Sequence, residues 1–146
     1  MEKNIKQCRQ ENADKHSPAI LLERIAEIVR IVDTPELRWY DTSSWGGEDA
    51  MASLAGNTSH MTYLSILAWT ITNYRFAGGD SRFDDRLHAC CEALYRRMLR
   101  EDDLCLESFP KSPIFVPDMM FAIVALKNYS TLYGGRYADA VERWLE

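Results

Sequence analysis

Residues 73–85 read NYRFAGGDSRFDD and residues 128–140 read NYSTLYGGRYADA, the same punctuation 55 positions apart. Each copy closes a nearly uncharged helical run and opens an amphipathic one. The run HMTYLSILAWTITNYRF, residues 60–76, has no charge before Arg75, and MMFAIVALKNYSTLY, from about Asp118, carries only Lys127. A helix that is apolar almost all round is buried on most sides. After the first glycine pair, Phe83, Leu87, Cys90, Cys91, Leu94 and Met98 form one stripe, covered elsewhere by Arg82, Asp85, Arg86, Glu92, Arg96 and Arg97. After the second, Tyr137, Ala140, Val141, Trp144 and Leu145 do the same. This alternation predicts an all-α fold in which inner and outer helices follow one another. Its period suits a helical hairpin with its loops.

The turn chemistry fits that frame. Gly78-Gly79 and Gly134-Gly135 supply left-handed residues that close the inner helices, and Asp80 or Ser81 caps the next element. Phe83 and Tyr137 are expected to pack back under the turns, with Asp84 or Asp85 and Asp139 near the following helix N-termini.

Ahead of the first inner helix, Ser17-Pro18 marks a helix start. Leu21, Leu22, Ile25, Ile28, Val29 and Val32 recur at steps of three and four, a single buried stripe that stops before Pro35. Residues 1–17 read as a mobile polar leader, and residues 18–146 as one helical domain. From Thr34 to Ser59 no long period survives, which predicts a loop with a short helical turn near Glu48 to Leu54. That loop carries Trp39, Tyr40 and Trp45, so it is either a packed surface loop or a lid or pocket wall, with Trp39 and Trp45 as candidate ligand-binding residues.

Composition narrows the function. The net charge is −5 and the basic residues are scattered, which argues against nucleic acid as the main ligand. No apolar run has the roughly 18 residues a membrane span requires, and the opening residues contain no apolar signal core. Cys8, Cys90, Cys91 and Cys105 show no metal-ligand spacing or paired framework, so reduced thiols in a cytoplasmic setting are expected, with no metal and no cofactor.

The stretch NTSHMTYLSILAWTITNYRFAGGDSRFDD, with the second copy of the turn, resembles the α/α-toroid superfamily over roughly residues 57–145. Within that superfamily it resembles the linalool dehydratase-isomerase-like proteins, where an Asn and a His open an inner helix closed by Tyr, Gly-Asp and Arg-aromatic-Asp. The resemblance implies inner helices around a central cavity, wrapped by outer helices. It places pocket residues where the inner helices begin: Asn57, His60 and Tyr63 at one, Phe115 and Asp118 at the other. It also implies a cysteine near the start of the second inner helix, where SPIFVPDMM has Asp118 and no thiol. A closed six-hairpin ring requires several hundred residues, and this chain supplies about two and a half hairpins. The expectation is a piece of a toroid, completed by further chain or by self-association.

Two residues stand out for acid-base work. His60 has an ordinary pKa near neutrality and sits at a buried helix start, where a structural hydrogen bond is the alternative role. Asp118 follows a proline ahead of an apolar run, so it is either an N-cap or a cavity carboxylate. Paired with Glu107, or with Glu48 and Asp49, it could supply the two carboxylates of a glycoside-cleaving site. The reading is therefore an enzyme acting on a carbohydrate or small organic substrate. The alternative is a helical-repeat binding or scaffold module docking through Met119, Met120, Phe121, Ile123 and Val124.

Overall fold

A computed structural model describes residues 17–146. The leader, with Cys8 and His16, falls outside the described residues apart from Ser17. Six α-helices are present among the described residues, and no strand: α1 (Pro18–Val32), α2 (Pro35–Ser44), α3 (Met61–Phe76), α4 (Asp84–Met98), α5 (Val116–Tyr133) and α6 (Ala138–Leu145). The all-α expectation holds. No helix among the described residues is long and apolar enough to cross a membrane.

The central helix is α3, which packs against α1, α2, α4 and α5. Leu64, Leu67, Ala68 and Ile71 of α3 meet Leu87, Cys90, Cys91 and Leu94 of α4 and Met119, Ala122, Ala125 and Leu126 of α5 in one core. Small residues at the facing positions, Ala68, Ala122 and Ala125, are wholly buried and allow close helix approach. Two polar ties show how α3 and α5 run. Thr62 donates to Asp118 at 2.7 Å at one end, and Asn128 donates to Thr72 at 3.3 Å at the other. Both ties pair residues 56 apart, so the two inner helices are parallel and in register, and their N-termini lie at the same end of the bundle.

The repeated turns behave as their residues predict, except that Gly79 is not left-handed and instead lies close against the Tyr74 ring. Gly78 and Gly134 both take φ of 95°, and Gly135 takes 77°. Phe83 packs edge-on against Tyr74 at 5.5 Å, and Tyr137, fully buried, lies 5.0 Å from Tyr129. Asp80 caps the 3-10 turn Ser81–Phe83 through the Arg82 N–H. Asp84 and Asp85 fall in the first turn of α4, and Asp139 in the first turn of α6, favourable places for carboxylates.

Four expectations are corrected. The segment after Thr34 is helical, not a loop: Pro35–Ser44 forms α2, and its buried residues are Arg38 and Asp41. With polar side chains turned inward, its apolar residues follow no helical period that a reading for hydrophobic stripes would find. Leu21 and Ile28 of α1 are exposed, and of the expected stripe Val29 alone is fully buried, with Ala26 beside it, because the apolar arc of α1 is wider than its contact with the bundle. Arg97, expected on the solvated side of α4, is 1% exposed. Asp118 is the third helical residue of α5 rather than its N-cap, a place taken by Phe115.

Candidate functional site

The residues that converge at the start of α3 come from three places: α2, the connection from Trp45 to Ser59, and the end of α4. Asp49 shapes that connection first. Its Oδ1 accepts from the N–H groups of Met51 and Ala52, and its carbonyl accepts from the Ser53 N–H at 3.0 Å, which makes the short helical turn expected near Glu48 to Leu54. The chain then reaches His60, which stands at the N-cap of α3 with φ 45° and ψ 25°. A left-handed backbone at a non-glycine residue costs roughly 1–2 kcal/mol. It ends the helical spiral at Met61, and the imidazole meets Asp41, Ser53 and Trp45.

His60 is wholly buried, yet both ring nitrogens have polar neighbours. Nδ1 lies 2.7 Å from Asp41 Oδ2. An ionised carboxylate only accepts, so Nδ1 carries a proton and donates. Nε2 lies 3.4 Å from Ser53 Oγ and 3.9 Å from Glu48 Oε1. The Trp45 ring sits 5.4 Å from the imidazole. Glu48 accepts a 2.8 Å bond from the Thr58 hydroxyl, which draws it below the usual carboxylate range despite some desolvation.

Behind this array Arg38 ties α2 in place. It donates to Asp33 Oδ1 and the Asp33 carbonyl at 3.2 and 2.6 Å and to Asp49 Oδ2 at 3.0 Å. Asp33 is also paired with Arg86 at 2.7 Å and accepts from the Tyr63 hydroxyl at 3.3 Å. Burial, followed by the Asp33 charge, pushes the Tyr63 phenol well above its ordinary range, so it stays protonated as a donor.

Two concavities flank the dyad. One is a cleft of about 1070 Å³ whose walls include Trp45, Glu48, Asn57, Thr58 and, opposite in sequence, Cys105 and Glu107. Its charged lining residues are Glu48, Glu101, Asp103 and Glu107, with no cation among them. The other is a smaller apolar pocket of about 190 Å³ lined by Leu37, Tyr40, Tyr63, Ile66 and Phe109, with Asp41 in its wall. Asp41 thus faces the pocket, while His60 is buried behind Trp45 and Glu48, which line the cleft.

The residues expected from sequence divide accordingly. Trp45 and Asn57 line the cleft, where Asn57 Oδ1 accepts from Arg96 at 3.3 Å, whereas His60 lines neither concavity and reaches the cleft only through its neighbours Trp45 and Glu48. Tyr63 lines the apolar pocket. Asp118 is held by Thr62 at the same end of the bundle, but lines neither concavity and has no bond to His60. Trp39 is 67% exposed and Phe115 is 47% exposed, and neither lines these concavities. Glu48 and Glu107 share the cleft, so the nearest carboxylate company of His60 is Asp41 and Glu48, not Asp118. Asp41, Ser53 and Arg97 escaped the sequence reading. The signal for Asp41 was present in Thr34-Pro35, which starts a helix as Ser17-Pro18 does; nothing in the sequence marked Ser53 or Arg97.

The chain matches no family model, no curated protein and no solved structure in comparisons with known proteins.

Proposed function

We propose that this chain is part of an α/α-toroid type of enzyme whose acid-base group is the His60 imidazole, acting on an uncharged carbohydrate or small organic substrate held in the cleft beside Trp45. One observation carries the reading: a buried histidine at the start of an inner helix has a carboxylate on Nδ1 and a second, cleft-lining carboxylate 3.9 Å from Nε2. Asp41 fixes the proton on Nδ1 and orients the ring, leaving Nε2 to exchange a proton towards the cleft. Glu48 faces the substrate there as an ionised base, with His60 behind it as the proton reservoir. Trp45 offers an apolar ring face against which a sugar or small organic skeleton packs. Four carboxylates without a cation repel anionic substrates, so neutral ones are favoured.

The test is turnover against a panel of neutral glycosides and small alcohols, with H60Q, E48Q and D41N as variants and the melting temperature measured alongside. A positioned acid-base group contributes about 10²–10⁴ in rate, so H60Q and E48Q should each lose at least about 100-fold. Wild-type turnover that survives in both variants sinks the assignment.

The second reading, a non-catalytic helical-repeat binding or scaffold module, draws on the exposed apolar residues Leu37, Trp39 and Tyr40 of α2 and Met120 of α5. Of the α5 face expected to dock, Met119 and Ile123 lie in the core instead. Sedimentation of the wild type against a W39E/Y40E variant distinguishes the two, since only the binding module loses association when that face is charged.

A further inference from the structure

Arg97 is unusual in what it bonds. Its side chain is buried on α4, and no carboxylate among the described residues pairs with it. Its guanidinium instead donates to four backbone carbonyls of one short segment. Nη1 reaches the Ser59 oxygen at 2.8 Å and Nη2 the Ser53 oxygen at 3.0 Å, with longer bonds to Leu54 at 3.5 Å and Gly56 at 3.4 Å. Arg96 reinforces the same segment, donating to the Leu54 and Gly56 carbonyls at 2.7 and 2.8 Å. Burial, and then the neighbouring Arg96 charge, lower the Arg97 guanidinium to about 10, still cationic at neutral pH. Burying a cation without a paired carboxylate is costly, and four carbonyl dipoles offset much of that cost, helped by the more distant charges of Glu48 and Asp41.

The bonded carbonyls identify what is held. Ser59 contributes the peptide that leads directly into His60, the left-handed residue, and Ser53 carries the hydroxyl facing Nε2. A strained backbone persists only where its surroundings over-determine it, and such strain gathers at functional positions. We infer that Arg97 is a positioning residue of this site: through the Ser59 carbonyl it holds His60 in the left-handed conformation that brings the imidazole to Asp41. The inference rests on the acid-base reading of His60 for its functional meaning, but the positioning is measurable without a substrate.

A lysine at 97 keeps the charge and much of the stem, but its compact ammonium cannot span four carbonyls as a planar fork does. The experiment uses the full chain in five forms: wild type, D41N, R97K, H60G and H60G/R97K. The first readout is the downfield Nδ1 proton of His60 bonded to Asp41, assigned by its loss in D41N. R97K should retain its helical circular dichroism yet lose or shift that resonance. The second readout is a urea unfolding cycle. Glycine adopts the left-handed conformation without strain, so the fold-loss in the folded-to-unfolded ratio caused by R97K should be at least about fivefold smaller in the H60G background. A folded R97K with the His60 proton unmoved, or an additive cycle, overturns the inference. If R97K alone does not fold, recovery of the fold in H60G/R97K supports the inference and its failure overturns it. Absence of turnover in the wild type sinks the acid-base reading and leaves these outcomes intact. An additive cycle removes Arg97 from its role and leaves the acid-base reading standing.

Discussion

Replacing Arg38 by methionine tests whether α2, the helix that delivers Asp41, is held by charge rather than by apolar packing. The methionine keeps the aliphatic stem and deletes the guanidinium, and with it the cation-π approach of Cζ to the Tyr63 ring at 6.0 Å. Three donations are lost, to Asp33 Oδ1, the Asp33 carbonyl and Asp49 Oδ2. The side chains involved are 9%, 16% and 25% exposed, so solvent replaces little of what is removed. Breaking a buried pair by deleting one partner costs about 3–5 kcal/mol. Here the orphaned charges keep other partners: Asp33 retains Arg86 at 2.7 Å, and Asp49 retains two backbone N–H groups at 2.9 and 3.0 Å. The loss should therefore fall to about 2–3 kcal/mol, or roughly a 30- to 150-fold smaller folding constant. Urea denaturation should show a lower midpoint with an unchanged slope. R38K should fall between, because one ammonium cannot serve three diverging acceptors. A loss below about 0.5 kcal/mol would mean that the clasp around α2 contributes nothing net, and the account of how Asp41 is placed would fail with it.

Two further outcomes follow from the geometry. A Cβ on Gly79 would lie 2.4 Å from the buried Tyr74 ring, whereas one on Gly78 meets open space and brings only the strain of its φ of 95°. G78A should thus cost about 1–2 kcal/mol and G79A more, measured by thermal unfolding; equal losses would show that the ring yields freely. On acidification, Glu48 and Asp49 titrate below their ordinary values of 4.5 and 3.8, Glu48 through Thr58, and Asp49 because Arg38 and two N–H groups outweigh its burial. With folded values lower than unfolded ones, the unfolded chain binds protons first. Their contribution is complete above about pH 5 and is lost as pH falls through the lowered values, so urea midpoints that stay flat or rise from pH 5 to pH 3 contradict it.

The inner helices were legible because nearly uncharged runs of about 15 residues have one physical destination, and the turns because glycine pairs close helices in one way. The exposed part of α1 was not legible: an apolar arc reports what a helix can bury, and the neighbours decide how much of it they cover. Helix α2 and Arg97 were hidden for a shared reason. Each buries polar atoms that find partners far away in sequence, Arg38 with Asp49 and Arg97 with the Ser53 to Ser59 carbonyls, and periodicity assigns such residues to solvent.

The buried polar residues that periodicity missed gather at one end of the bundle. Arg38, Asp41 and Arg97 cluster where α3 begins, around His60, which the sequence did mark; the exposed Leu21 and Ile28 of α1 are a separate miss. Stability alone gives little reason for this asymmetry, since well-packed apolar residues replace buried ionic groups at little or no loss. A strained histidine and a buried arginine without a carboxylate add to the cost. Departures from local rules gather at functional positions in natural sequences, and here Arg38, Asp41 and Arg97 surround the strained His60. These departures lie at the start of α3 independently of any family resemblance, and they surround Asp41 and His60 rather than Asp118.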